Sequence, residues 1–277
     1  MRKYAILLAA LAVALMACEG DDPAGGGSGG TLPQVTGLAI GDASMGTDIV
    51  LTWNTVDEAE EYEIYFSATG TPDANDAVTT TTNTTFTHDA ESAGYYSVRA
   101  ISGDDTSEEF ATPVNTMPQV ISQTFTLVDQ YGDPNEDSGF YFGTVDGGSL
   151  TGYTTNPISG SQNTTYDLYA YDDTGQKGDD DVKFYAGNYG DTYGQGFDSD
   201  FYATTASAGY APASGWAMDE TSLLSSGDYY FVKLYFEGGV NYYAKVHITD
   251  VSEDTTPNGT FVTFNFEFQT LPDVRVF

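Results

Sequence analysis

The sequence predicts an all-β protein, a β-sandwich over residues 33–116 followed by a second antiparallel β-rich segment over 119–277. Three observations predict it. Short alternations of apolar and polar residues recur along the chain, with the period of two that half-buried strands require. Turn signals rich in Gly, Asn and Asp separate them. No stretch of useful length carries the 3.6-residue periodicity of an amphipathic helix. A chain of 277 residues allows one or two domains.

The first element is a targeting segment over residues 1–17. Arg2 and Lys3 precede the uninterrupted apolar run Ala5–Ala17. That run suits a signal peptide and is shorter than the roughly 20 residues a spanning helix needs. It ends Leu15-Met16-Ala17-Cys18 and resembles the lipobox of bacterial lipoproteins. The resemblance implies cleavage before Cys18 and acylation of that residue, which is the single cysteine of the chain. Several acyl chains give stable anchoring, at about 0.8 kcal/mol per buried CH₂. Residues 18–32 then form an acidic, Gly-rich tether. Its opening Glu19-Gly20-Asp21-Asp22 resembles the surface-export signal of lipoproteins in the Bacteroidetes lineage. The expected location is therefore the outer membrane, with the protein anchored by lipid and exposed at the cell surface.

The next segment, 33–116, supplies strands at Ile49–Trp53, Glu61–Ser67, Thr79–Thr87, Tyr95–Ile101 and Glu108–Ala111. In Glu61–Ser67, Tyr62, Ile64 and Phe66 share one face. Short strands at such spacing predict a sandwich. Pro33-x-Val35-x-Gly37-Leu38, Leu51-Thr52-Trp53, Ala59-Glu60-Glu61-Tyr62-x-Ile64-Tyr65 and Tyr96-x-Val98-x-Ala100 resemble the fibronectin type III pattern. The resemblance implies that Trp53 fills the core. It also implies that Tyr96 is a corner tyrosine whose hydroxyl bonds backbone upstream. No Arg-Gly-Asp tripeptide is present, so an integrin-binding role is not implied. His88, at the end of a Thr-rich strand, reads as a surface histidine with a structural role.

In residues 119–277, strands are predicted at Thr124–Val128, Phe140–Phe142, Tyr166–Tyr171, Val182–Tyr185, Tyr229–Phe236, Tyr242–Thr249 and Phe261–Gln269. Gly238-Gly239 has hairpin spacing. Ala244, Val246 and Ile248 fall on one face, and Lys245 and His247 on the opposite, wet face. Tyr169, Tyr171, Tyr229, Tyr235 and Tyr243 read as outward-facing. Tyr166-Asp167-Leu168-Tyr169, Gly194-x-Gly196-Phe197-Asp198, Ala211-Pro212-x-Ser214-Gly215-Trp216, Tyr230–Lys233, Tyr243–Ile248 and the closing Val262–Gln269 resemble, in that order, the HmuY family of surface lipoproteins. That family's better-known members capture haem, held by histidine pairs or methionines on loops. Here His88 and His247 lie in different segments, and Met218 is the one methionine after Met117. Weak or no haem binding is expected, with Met218 as its ligand if it occurs.

Composition excludes several functions. Lys+Arg is 8 against Asp+Glu 41, a net charge of -33. Binding to a phosphate backbone needs clustered cations, so nucleic acid is excluded as a partner. A single cysteine excludes an intramolecular disulfide and a cysteine-built zinc site. No nucleophile elbow, H-E-x-x-H, P-loop or Rossmann fingerprint is present, so no enzyme is expected. The acids suggest a calcium loop at Asp129, Asp133, Asn135 and Asp137, a solvated acidic surface, or adaptation to high salt that screens self-repulsion. Tyrosine is abundant, with 21 residues, and suits either stacking on a sugar, haem or a protein surface, or filling a small β-core from which its hydroxyl reaches water. Tyr189 and Tyr193 in a Gly/Tyr loop, with Trp216 and Met218, are the candidate ligand-binding residues. The expected function is a non-catalytic binding protein. An architectural surface protein and a haem-capturing lipoprotein are the alternatives.

Overall fold

Alternating β-branched and aromatic residues pair as antiparallel strands throughout the computed structural model. The structure describes residues 32–129, 137–157, 166–172, 181–188, 197–236, 239–254 and 259–277. Among them no helix forms. The strands are β1 Ala39–Ile40, β2 Asp48–Thr52, β3 Glu61–Ser67, β4 Ala77–Thr81, β5 Thr85–Asp89, β6 Tyr95–Ser102, β7 Asp105–Thr106, β8 Val114–Asn115, β9 Gln119–Val128 and β10 Asp137–Tyr141. They continue as β11 Thr144–Asp146, β12 Ser149–Thr151, β13 Thr154–Pro157, β14 Leu168–Asp172, β15 Val182–Ala186, β16 Ser199–Thr204, β17 Ala217–Met218, β18 Tyr229–Phe236, β19 Val240–Asp254 and β20 Gly259–Gln269.

The first module is a sandwich. The sheet β1-β2-β5 shares one core with β4-β3-β6-β7, to which β8 adds on β6. Period-two alternation sends Ile49, Leu51 and Trp53 inward from one sheet, and Tyr62, Ile64, Tyr96, Val98 and Ala100 from the other. Trp53 sits edge-on to Tyr62 at 5.6 Å. Its Nε1 has no hydrogen-bond partner among the described residues.

Four local expectations change. The run Thr79–Thr87 is not one strand; it splits into β4 and β5, which belong to different sheets. Glu108–Ala111 forms no strand. Phe110 instead packs edge-on to Tyr65 at 4.8 Å, beneath the Arg99 guanidinium. Tyr96 does not bond upstream backbone: its hydroxyl pairs with His88 Nδ1 at 2.9 Å. The backbone contact expected of it is made by Tyr62, whose hydroxyl accepts the Val56 amide at 2.9 Å. His88 is half-buried rather than on the surface, and burial lowers its pKa.

The second module stacks a six-stranded sheet, β17-β16-β18-β19-β20-β9, on a four-stranded sheet, β13-β10-β14-β15. Aromatic pairs hold the layers together: Phe125 and Phe140 at 4.9 Å, Phe140 and Phe264 at 5.0 Å, Phe142 and Phe266 at 5.0 Å. Each is edge-to-face or tilted, as ring quadrupoles favour. Gly239 at φ 80° closes the β18–β19 hairpin, where Phe236 faces Val240. Gly238 lies outside the described residues.

Two faces expected to be wet are covered. On the four-stranded sheet Tyr169 stacks on its cross-strand partner Tyr185 at 5.6 Å, with Tyr166 and Tyr171 edge-on to the stack. Mutual stacking therefore buries Tyr169. On the six-stranded sheet Tyr243 and Lys245 are buried, because residues 205–216 fold back over them. Of the other tyrosines expected outward, Tyr235 is exposed, while Tyr171 and Tyr229 are half-buried.

The chain end joins the two modules. After β20, Leu271–Phe277 returns to the first sandwich, and Val274 and Val276 lie fully inside its core. Residues assigned by sequence to the second segment thus complete the first core. The Gly46 amide donates to Asp273 O at 2.7 Å, and the Arg275 amide to Gly46 O at 2.8 Å. Gly46 is required here: its φ is 68°, and a Cβ would stand 2.7 Å from the Arg275 guanidinium. Buried Gln269 ties the linker to the tail, its amide donating to Thr116 O and Val276 O.

Candidate binding site

Strand register dictates what the outer face of the six-stranded sheet presents. Direct partners run Tyr202–Phe231–Lys245–Glu267–Val120 in one row, and Thr204–Tyr229–His247–Asn265 in the next. Residues 205–212 cross this face as a loop of small residues. Lys245 fastens the loop from below, its ammonium donating to Ala206 O and Ala208 O, each at 2.8 Å. Burial lowers the Lys245 pKa, and Glu267 opposes that shift. Charge-assisted bonds to two carbonyls meet the demand of a buried ammonium.

The tail fastens the same loop from the side. The Ala211 amide donates to Arg275 O, Arg275 Nη1 donates back to Ala211 O, and the Phe277 amide donates to Gly209 O. Phe277 O accepts the Ala93 amide of the first module at 3.1 Å. Gly209 approaches that module so closely that a Cβ would lie 2.5 Å from Glu91 O. Two copies of Ser-Ala-Gly-Tyr, residues 92–95 and 207–210, thus meet across the end of the tail. That repeat is the sequence signal that could have located the junction.

At the junction lies an open cleft of about 630 Å³, within the range usual for small-ligand sites. Glu91 of the first module forms one wall. Tyr202, Thr204 and Phe231 of β16 and β18 form the floor, and Ser207–Pro212 the other wall. Tyr210 is 49 % exposed and Tyr202 36 %. Neither hydroxyl, nor the Glu91 carboxylate, has a hydrogen bond among the described residues. Trp216 backs Tyr202 edge-on at 6.0 Å and donates from Nε1 to Pro212 O. Along β16 the same face carries Asp200, which accepts the Tyr235 hydroxyl. Burial and then the charges of Asp200 and Asp219 raise the pKa of nearby Asp198, while the Asn188 side chain opposes the shift.

The other candidate residues fall as follows. Met218 is 72 % exposed on the short edge strand β17, opposite Asp200. Tyr189, Tyr193, Asp133, Asn135 and Cys18 lie outside the described residues. Asp129 is buried, its carboxylate accepting the Thr260 amide at 2.7 Å. Asp137 accepts the Thr155 hydroxyl. Among the described residues no three His, Cys, Asp or Glu side chains converge on a metal position. His247 stays mid-strand in β19, stacked on Tyr229 at 4.3 Å beside a small groove of about 150 Å³.

Replacing Lys245 by Met is expected to release the loop while leaving the sheet core intact. Two charged hydrogen bonds are lost, against the removal of a buried charge. The expected net is a loss of about 1–3 kcal/mol and faster proteolysis within residues 205–212. Unchanged cleavage rates would show that the loop is held by the tail alone. Compared with models of protein families and with curated proteins, the chain matches none.

Proposed function

We propose that the protein is a lipid-anchored, non-catalytic binding protein of the outer cell surface that captures its ligand in the junction cleft. The anchor rests on the sequence Leu15–Cys18 and the export-like acids after it. The first module's three strands against five support the fibronectin type III reading, with the module as a spacer that also lends Glu91 to the cleft. The observation that carries the binding reading is a pair of exposed tyrosines, Tyr202 on the sheet floor and Tyr210 on a wall held from two sides. Unsatisfied hydroxyls on a fixed frame suit recognition, because little entropy is lost when a ligand arrives. Haem is not the ligand proposed, since Met218 is exposed on a short edge strand and His247 is locked in a ladder.

Metabolic palmitate labelling and protease treatment of intact cells test the anchored, surface-exposed part of this reading. The wild type is expected to carry label and to be cleaved from outside. Cys18→Ser is expected to lose the label and to appear as uncleaved precursor or released protein. Unlabelled wild type would remove the anchor from the account.

A further inference from the structure

We infer that the junction cleft recognises an arginine side chain presented by a basic peptide segment of a partner protein. This deepens the capture role proposed above and rests on it. Three features of the cleft point to this chemistry.

The first is the lining. Tyr202 and Tyr210 offer exposed aromatic rings, and a planar guanidinium stacks on such rings by cation–π attraction. The second is Glu91, the one charged lining residue among the described residues. Glu91 has no ion pair or hydrogen bond among the described residues, and a carboxylate accepts two parallel N–H donors of a guanidinium. The third is the surrounding field. The chain carries -33, and Asp200 shares the sheet face of Tyr202, with Asp198 and Asp219 close to it. An anionic ligand is repelled by that field, whereas a basic segment is steered toward it.

The cations that hold the loop are engaged by it. Lys245 and Arg275 donate to carbonyls of the loop itself, at Ala206, Ala208 and Ala211. The Lys245 ammonium lies 5.9 Å from the Phe231 ring, so this ring already faces one cation from beneath the loop. Thr204 and Ser207 add hydroxyls that can meet the peptide backbone.

The test uses the full chain in detergent and a short peptide of arginines spaced by glycines. Its control is the same peptide with citrulline, which keeps the shape and loses the charge. The arginine peptide is expected to bind and the citrulline peptide not to. Raising salt from about 50 mM to about 500 mM is expected to weaken binding at least about tenfold. Glu91→Gln is expected to weaken it about tenfold, and Tyr202→Ala with Tyr210→Ala to abolish it. Asp76→Asn, an acid of the first module outside the cleft lining, is expected to leave it unchanged. Equal weakening by Asp76→Asn and Glu91→Gln would reduce the effect to diffuse charge and overturn the site. No binding of the arginine peptide at millimolar concentration would also overturn it. A neutral oligosaccharide that binds through Tyr202 and Tyr210 without salt dependence would overturn the cationic ligand while leaving the capture role standing.

Discussion

Deleting Val274–Phe277 is expected to unfold the first module under conditions where the intact chain is stable. Val274 and Val276 are fully buried in its core, and each such side chain contributes about 1.5–3 kcal/mol by burial alone. Removal also leaves a cavity, which adds to the loss. The Ala93 amide loses its acceptor, Phe277 O, and Gly46 O loses its donor, the Arg275 amide. A total near 5 kcal/mol or more approaches the whole stability of an ordinary domain, about 5–15 kcal/mol. Trp53 reports on the first core and Trp216 on the second module, so fluorescence can follow both. In denaturant the Trp53 transition is expected to shift far below that of the intact chain. A truncated chain with an unchanged Trp53 midpoint would mean that the sandwich closes without the tail.

Asp167→Asn is expected to give the other large effect, and it depends on pH. Asp167 is buried where β10, β14 and the approach to β16 meet, its carboxylate accepting the Phe142 amide at 2.7 Å. Its backbone carbonyl accepts from Gly187 and from the Ser199 hydroxyl. Burial raises the side chain's pKa from 3.8 to about 7, against a smaller opposing effect of the Phe142 amide. The folded chain therefore holds a proton that the unfolded chain releases between about pH 4 and pH 7. Stability falls as pH rises through that window. Each tenfold difference in proton affinity between the folded and unfolded chain is worth about 1.4 kcal/mol, so the loss is roughly 4 kcal/mol in all. Asparagine keeps the acceptor for Phe142 and cannot ionise. The variant is expected to match the wild type near pH 4 and to be more stable by a few kcal/mol near pH 8. His88 works in the opposite direction: its lowered pKa costs stability as pH falls below about 6.5. The difference between variant and wild type cancels that contribution. Parallel stability curves across the window would contradict the assignment to Asp167.

Much of the strand structure was legible because its cause is local. In Tyr229–Phe236 the alternation of Tyr230, Val232 and Leu234 with Tyr229, Phe231, Lys233 and Tyr235 places β18 at its observed limits. The four inward residues Val262, Phe264, Phe266 and Phe268 likewise mark β20, which begins at Gly259 rather than Phe261. What could not be read was long-range. Nothing local in Leu271–Phe277 says that Val274 and Val276 pack in a core whose other members lie some 160 residues or more earlier. Lys245 looked wet because period two places it opposite Ala244 and Val246, and only the returning loop reverses that. The loop itself, Ala206–Ala211, carries little burial signal because it is mostly alanine, serine and glycine. Tyr169 and Tyr243 were misplaced for a related reason: tyrosine covers the outside of a sheet as readily as it faces water. Of the cleft, Tyr202 and Tyr210 carried no mark of their own, and Glu91 was one acid among 41 Asp and Glu. The repeated Ser-Ala-Gly-Tyr was the one visible clue.

The cleft exists only if the tail binds the two modules into one frame. Amide hydrogen exchange at Ala93, Ala211 and Phe277 tests this most directly, since these three tie the tail to the first module and to the loop beside the cleft. The account predicts that all three are protected to the level of the strand amides of β6 and β18, and that they open together with the global transition. Exchange at the rate of an exposed loop, with β6 and β18 still protected, would show two modules that move independently and a cleft with no fixed walls.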